Sequence, residues 1–129
     1  MTADKAVIDT SVLAAMAFLE PQAEEANARL KGINLVAPPL LFFELAHICI
    51  KKIQQRPAEA EAIKRQFDDA LTIPVEIVDV DYAGCVAVAR TFKLSAYDAS
   101  YLWLARMLNI ELVTFDHDLG KAAVKSRSS

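Results

Sequence analysis

Asp9, Glu44, Asp98 and Asp116 are carboxylates in apolar surroundings. Asp9 follows Val7-Ile8, Glu44 stands inside Leu40-Leu41-Phe42-Phe43-Glu44-Leu45, Asp98 precedes Tyr101-Leu102-Trp103-Leu104, and Asp116 follows Leu112-Val113-Thr114-Phe115. Acids are almost never fully buried without a compensating partner. The basic residues nearest these segments are Lys5 and Arg106, so a bound divalent cation is the simplest source of opposite charge. An all-oxygen donor set suits Mg2+ or Mn2+, and such sites hydrolyse phosphodiesters by supplying an activated water and charge stabilisation. Taken singly, three of the acids have an ordinary structural reading. Asp9 and Asp116 can cap helices, and Ser95-Ala96-Tyr97-Asp98 fits a capping box. Glu44 has no capping role, because it sits mid-helix on the stripe of Leu41, Leu45 and Ile48.

The elements that must position these acids follow from pattern and punctuation. Ala6-Val7-Ile8 reads as a strand, and Asp9-Thr10-Ser11 can cap a helix from Val12 to Leu19. A second helix spans Gln22 to Lys31 and stops at Gly32. Asn34 to Ala37 is the second strand. Pro38-Pro39 opens a helix from Leu40 to about Gln54, and Pro57 restarts the chain into a helix over Ala58 to Leu71. Pro74 to Val78 reads as a third strand of buried type, Val80 to Phe92 and Tyr97 to Leu108 as helices, Glu111 to Thr114 as the fourth strand, and a last helix begins at Asp118. Strands separated by helices predict a three-layer α/β/α sandwich around a short, mainly parallel sheet. Asp9 and Asp116 then emerge at the carboxyl edge of that sheet, where open α/β folds bind ligands.

Bulk properties bound the reading. The chain has 129 residues, 54% of them hydrophobic, with 3 Gly and 5 Pro. That profile excludes a disordered chain and fits one domain over 1–129, with 125–129 expected to fray. A net charge of −3 gives no support to a strongly basic nucleic-acid scaffold. Cys49 and Cys85 lack ligand spacing and read as buried free thiols, which suits a reducing compartment. Met1 to Lys5 carry no net positive charge, Asp9 interrupts the only leader-like apolar stretch, and Val12 to Leu19 is far shorter than the ~18 residues of a membrane span. A soluble, cytoplasmic protein with no membrane association is expected.

Four motifs in order carry a family resemblance: Val7-Ile8-Asp9-Thr10-Ser11, Leu41-Phe42-Phe43-Glu44-Leu45, Tyr97-Asp98-Ala99-Ser100-Tyr101-Leu102-Trp103-Leu104-Ala105, and Leu112-Val113-Thr114-Phe115-Asp116-His117-Asp118-Leu119. The chain resembles PIN-domain ribonucleases and, by its size, the VapC-type toxins of toxin–antitoxin pairs. The resemblance implies metal-dependent cleavage of RNA, with Asp9, Glu44, Asp98 and Asp116 as the four acidic positions. Asp9 and Asp116 are assigned as direct ligands of Mg2+ or Mn2+, and Glu44 and Asp98 as ligands or water-positioning groups. Asp118 is an outer candidate, and Thr114 and Ser11 match supporting hydroxyls. The resemblance also implies a cognate antitoxin and a homodimer.

Two alternatives stand beside this reading. A receiver-like Mg-binding regulatory domain has similar layering, but it expects paired acids after the first strand and a Lys after the last, which this chain lacks. A catalytically inactive PIN-like binding module is the other. Glu44-Leu45-Ala46-His47 matches one half of a di-iron pattern, which needs two such helices, so His47 is discounted; His117 reads as a solvated turn residue. Trp103 and Met107 read as core or dimer contacts. Lys51, Lys52, Arg56, Lys64 and Arg65, with Lys121, Lys125 and Arg127, read as solvated charge that can hold RNA if it borders the acids.

Overall fold

The computed structural model of the chain describes residues 4–128. Lys5–Ile8 forms β1, whose last three residues are buried. Asp9 caps the helix that follows, accepting the Val12 amide at 3.3 Å, so α1 spans Thr10–Ala17. The chain continues through α2 (Ala23–Leu30), a left-handed Gly32, β2 (Asn34–Ala37) and α3 (Leu41–Gln55). Pro57–Glu59 is a short 3-10 turn, which restarts the chain as α4 (Ala60–Ala70). Then come β3 (Val75–Ile77), α5 (Tyr82–Phe92), α6 (Ala96–Leu108), β4 (Glu111–Val113) and α7 (His117–Ser128).

All pairings are parallel, in the order β3-β2-β1-β4. Val7 stands opposite Val36 on one side and Leu112 on the other. Helices α1 to α4 pack on one another in one layer, and α5 to α7 in the other, with α6 lying on β1 and β4. The expected three-layer α/β/α sandwich is the fold. Its core joins Val7, Ile8, Val36 and Val113 of the sheet to Leu13, Leu41, Leu45, Tyr101, Leu104 and Leu119 of the helices. Strands covered on both faces read as continuous apolar runs, which is why β1 and β2 are plain in the sequence.

One expectation for the strands needs correction. Strand β3 is not buried: Val75 is half-buried, and Glu76 and Ile77 are exposed. It lies at the edge of the sheet, and its apolar residues give no sign of edge position. Helix α7 continues through Ser128; Ser129 lies outside the described residues, as do Met1 to Ala3 of the segment read for leader character. No helix among the described residues is long and apolar enough to cross a membrane. Both cysteines are buried and free, and burial raises each thiol's pKa, helped by Asp68 for Cys49 and Asp81 for Cys85.

The α5–α6 packing depends on a missing side chain. Asp81 caps α5 by accepting the Gly84 amide at 2.7 Å, and a Cβ on Gly84 would meet Trp103 Nε1 at 2.2 Å. The indole of α6 therefore lies where only glycine leaves room. Gly84→Ala should lower the melting temperature, by the about 1–3 kcal/mol that overpacking costs. Thermal melts followed by circular dichroism check this, with Trp103→Phe in the same chain expected to recover part of the loss.

Candidate active site

The strand order sets the site. From β1 the chain builds outward to β2 and β3, then crosses back to β4 on the other side of β1. The reversal falls between β1 and β4, and the crevice beyond the carboxyl ends of strands at such a point is where open α/β sheets take ligands. Asp9 follows β1 and Asp116 follows β4, so both stand at that crevice.

Asp9 is 5% exposed and its carboxylate is tied on both oxygens. Ser11 Oγ donates to Oδ1 at 2.6 Å, together with the Val12 amide, and Thr114 Oγ1 donates to Oδ2 at 2.5 Å. Each hydroxyl in turn accepts a backbone amide, Phe115 N at 2.9 Å for Ser11 and Asp116 N at 2.9 Å for Thr114. A hydroxyl has one proton, and these two are directed at Asp9. Burial nevertheless raises the Asp9 pKa, against the lowering effect of Ser11, Thr114 and the Val12 amide, with Asp116 adding repulsion.

Glu44 lies in the first turn of α3 and is half-buried. Its Oε1 accepts two hydroxyls, Thr10 Oγ1 at 2.7 Å and Tyr101 OH at 2.5 Å, and those hydroxyl oxygens are 2.9 Å apart. Burial and the Glu44 carboxylate drive the Tyr101 pKa far upward, so the phenol stays a donor. Neither Thr10 nor Tyr101 was singled out from the sequence. Thr10 reads as a cap residue and Tyr101 as core, and a tyrosine 1% exposed among leucines carries one signal of its second role: a buried phenol needs a partner.

Asp98 stands in the first turn of α6, whose cap is Ser95, accepting the Asp98 amide at 3.1 Å. The capping-box return does not form: among the described residues the half-buried Asp98 carboxylate has no hydrogen-bond partner. Its pKa is raised first by burial, then by Asp116, Glu44, Asp9 and Asp118. Every charged group acting on it is an acid. Asp116 is exposed, contrary to its apolar sequence context, and caps α7 by accepting the Leu119 amide at 2.8 Å. Asp118 and His117 are exposed, and His47 lies on the exposed face of α3.

Asp9, Glu44, Asp98, Asp116 and Asp118 thus share one region and act on one another electrostatically. Hard carboxylate oxygens that make no ion pair among the described residues suit a divalent ion of the Mg2+ type, and the partnerless Asp98 is the observation that carries this fit. Among the described residues no three His, Cys, Asp or Glu side chains are grouped closely enough to hold a metal ion as they stand. Lys5 and Arg106 do not supply the missing charge: Lys5 pairs with Glu76, and Arg106 lies over the Phe92 ring.

Two hollows flank the acids on the α7 side. One, of about 620 Å3, is lined by Asp116, His117, Lys121 and Lys125 among others. Its neighbour, of about 450 Å3, shares Lys121 and Lys125 and adds Lys93 and Asp118. Two further hollows lie around Asn109 and Glu111, at the amino end of β4, and hold none of the site acids.

The PIN domain family model matches residues 6–125. The chain belongs to the PIN-domain family. The receiver-like alternative falls with that match. No curated protein matches the chain in sequence. Among solved structures, this PIN domain is similar to PAE2754 from Pyrobaculum aerophilum, with a TM-score of 0.75, 21% identity, and coverage of 95% of this chain and 88% of that one. It is also similar to VapC20 of Mycobacterium tuberculosis, a toxin that cleaves the sarcin-ricin loop (TM-score 0.64, 17% identity, 91% and 94% covered). VapBC2 from Rickettsia felis, bound to a DNA fragment from its promoter, matches with TM-score 0.62 and 16% identity over 92% of each chain. At these identities the likeness is one of fold.

The electrostatics of Asp98 give a signed expectation. A carboxyl whose pKa is raised on folding holds its proton more tightly in the folded state, so its contribution to stability is most favourable at low pH and declines as pH rises from 3.8 through the folded value. Asp98→Asn removes the ionisable group. The metal-free variant should melt a few degrees above the parent near pH ~7, a gap that closes as pH falls to the ordinary carboxylate range. Calorimetric melts across that range measure it, and a gap that widened in acid would contradict the assignment of repulsion.

Proposed function

We propose that this PIN domain is a metal-dependent endoribonuclease acting as the toxin of a toxin–antitoxin pair. What supports the reading most is the partnerless Asp98 carboxylate in the field of four other acids, at the point where the sheet reverses direction. Asp9 and Asp116 are assigned as direct ligands, and Glu44 and Asp98 as ligands or water-positioning groups, for Mg2+ or Mn2+. When bound, such an ion supplies charge stabilisation on the phosphate and a more acidic water.

The protein's own part is positioning and proton handling. Ser11 and Thr114 hold the Asp9 carboxylate at the mouth of the crevice. In this reading the carboxylate of Asp98, which has no hydrogen-bond partner among the described residues, accepts a proton from the attacking water. Water oxygen bonds to phosphorus, the bond from phosphorus to the 3′-oxygen breaks, and the leaving oxygen takes up a proton. The products are a 5′-phosphate and a 3′-hydroxyl, with the ribose 2′-hydroxyl uninvolved.

Lys121 and Lys125 lie one turn apart on α7, each lining both hollows beside Asp116 and Asp118. Among the described residues neither enters an ion pair. In a chain of net charge −3, this local excess suits the RNA backbone. A cognate antitoxin would cover the acids with a basic group, and the exposed apolar residues Phe43 and Ile50 on α3 and Tyr82 and Val86 on α5 offer surface for it or for a homodimer.

Incubation of the purified protein with structured RNA, in Mg2+ or Mn2+ against EDTA, tests the reading. Cleavage should require metal, and end-mapping should find 5′-phosphates. Asp9→Asn and Glu44→Gln should each lower turnover by orders of magnitude while staying folded, and cleavage that persists in EDTA or yields cyclic phosphates sinks the mechanism. Lys121→Ala and Lys125→Ala should raise KM for RNA with kcat little changed. Each lysine lost should also make the logarithmic salt dependence of binding shallower by about 0.7.

A further inference from the structure

Glu44 is the one site acid held by residues that belong to the segments of two others. Thr10 is the residue after Asp9 and the first of α1. Tyr101 lies one turn after Asp98 on α6, the spacing that puts two side chains on neighbouring positions of a helix surface. Both hydroxyls end on the same oxygen, Glu44 Oε1, at 2.7 and 2.5 Å. Oε2 has no hydrogen-bond partner among the described residues.

A glutamate has three rotatable side-chain bonds, and a half-buried one beside other acids would turn away from them if it were free to do so. Two donors from separate elements remove that freedom. Tyr101 is a stiff anchor: its ring is 1% exposed and belongs to the core cluster, so its hydroxyl cannot follow Glu44 elsewhere. Thr10 is β-branched and lies on the first turn of a capped helix, with restricted χ1. Both hydroxyls donate to one oxygen, which leaves the second oxygen with its acceptor capacity unused among the described residues.

We propose that Thr10 and Tyr101 are positioning residues that clamp Glu44 through Oε1, reserving Oε2 for the divalent cation or its water and locking the acids of α1, α3 and α6 in one mutual register. This rests on the reading of Glu44 as a site acid. Hydroxyl partners of carboxylate ligands commonly matter by about 10–100-fold in metal affinity or activity.

The test compares Tyr101→Phe, Thr10→Val, Thr10→Ser and Glu44→Gln in the full chain. Readouts are kcat and KM on RNA with Mn2+, Mn2+ affinity by isothermal titration, and the melting temperature. Tyr101→Phe and Thr10→Val should each weaken Mn2+ binding several-fold and lower kcat by about 10-fold or more, with KM unchanged. Thr10→Ser, which keeps the hydroxyl, should restore both. Parent-like Mn2+ affinity and kcat in Tyr101→Phe and Thr10→Val, alongside an inactive Glu44→Gln, would overturn the clamp and leave the site reading standing. Full activity of Glu44→Gln would overturn both. A Thr10→Ser as defective as Thr10→Val would show packing rather than hydrogen bonding and also overturn the clamp, and this pair decides the matter if Tyr101→Phe does not fold.

Discussion

A buried carboxylate at the junction of two parallel strands is the constraint on which this molecule is built. Asp9 is 5% exposed, and among the described residues it makes no ion pair with a basic group. Its stability rests on donors alone: the hydroxyls of Ser11 and Thr114 and the Val12 amide. Those donors come from both sides of the reversal in strand order, Ser11 from the helix after β1 and Thr114 from the residue after β4. The same two hydroxyls satisfy the Phe115 and Asp116 amides where the chain leaves the sheet. One carboxylate therefore organises the end of β1, the start of α1 and the path of the chain into α7. Burial still outweighs these donors in the balance of its proton affinity.

The acids divide into two kinds of environment. Asp9 and Glu44 are held by hydroxyls from other segments, while the Asp98 carboxylate has no hydrogen-bond partner among the described residues and Asp116 is held by the helix it caps. Fixed acids define a frame and free ones can adjust to what enters it. Under the nuclease reading proposed above, this division is the one between preorganised and adaptable groups that a site for an ion and a phosphate calls for. The lysines of α7 stand at the rim and not within the cluster, so they can attract a polyanion without neutralising the acids.

Much of this was legible in the residues. β1 and β2 are buried on both faces and read as apolar runs, and Asp9 and Asp116 follow their strands as the pattern requires. Glu44 drew notice by its place on the Leu41, Leu45, Ile48 stripe, but its expected mid-helix position needs correction: α3 begins at Leu41 and Glu44 stands in the first turn, where the helix dipole also favours an acid. What could not be read has physical reasons. The segment Pro74 to Val78 reads as an inner strand if its apolar Val75, Ile77 and Val78 are weighed alone; the central Glu76 is its one sign of the edge position that the pairing order gives it. Apolar neighbours before Asp116 say nothing of its exposure, because the chain turns outward at once into α7. Tyr101 and Thr10 are hidden by their own good fit, one to the core and one to a cap. Their meeting at Glu44 joins positions 34 and 57 residues apart, a distance that no local pattern spans.

The two margins of the sheet have a further consequence. β3 and β4 are three residues each; the middle residue of β3 is Glu76, in an ion pair with Lys5, and β4 begins with Glu111, held by Arg29 at 2.6 Å. Strands this short and this charged are poor templates for another strand. The sheet is closed to growth without being closed into a barrel, and the protein has little tendency toward edge-to-edge self-association. Recognition by another chain is thereby directed away from backbone augmentation and onto helix surfaces, where side chains rather than peptide groups set specificity.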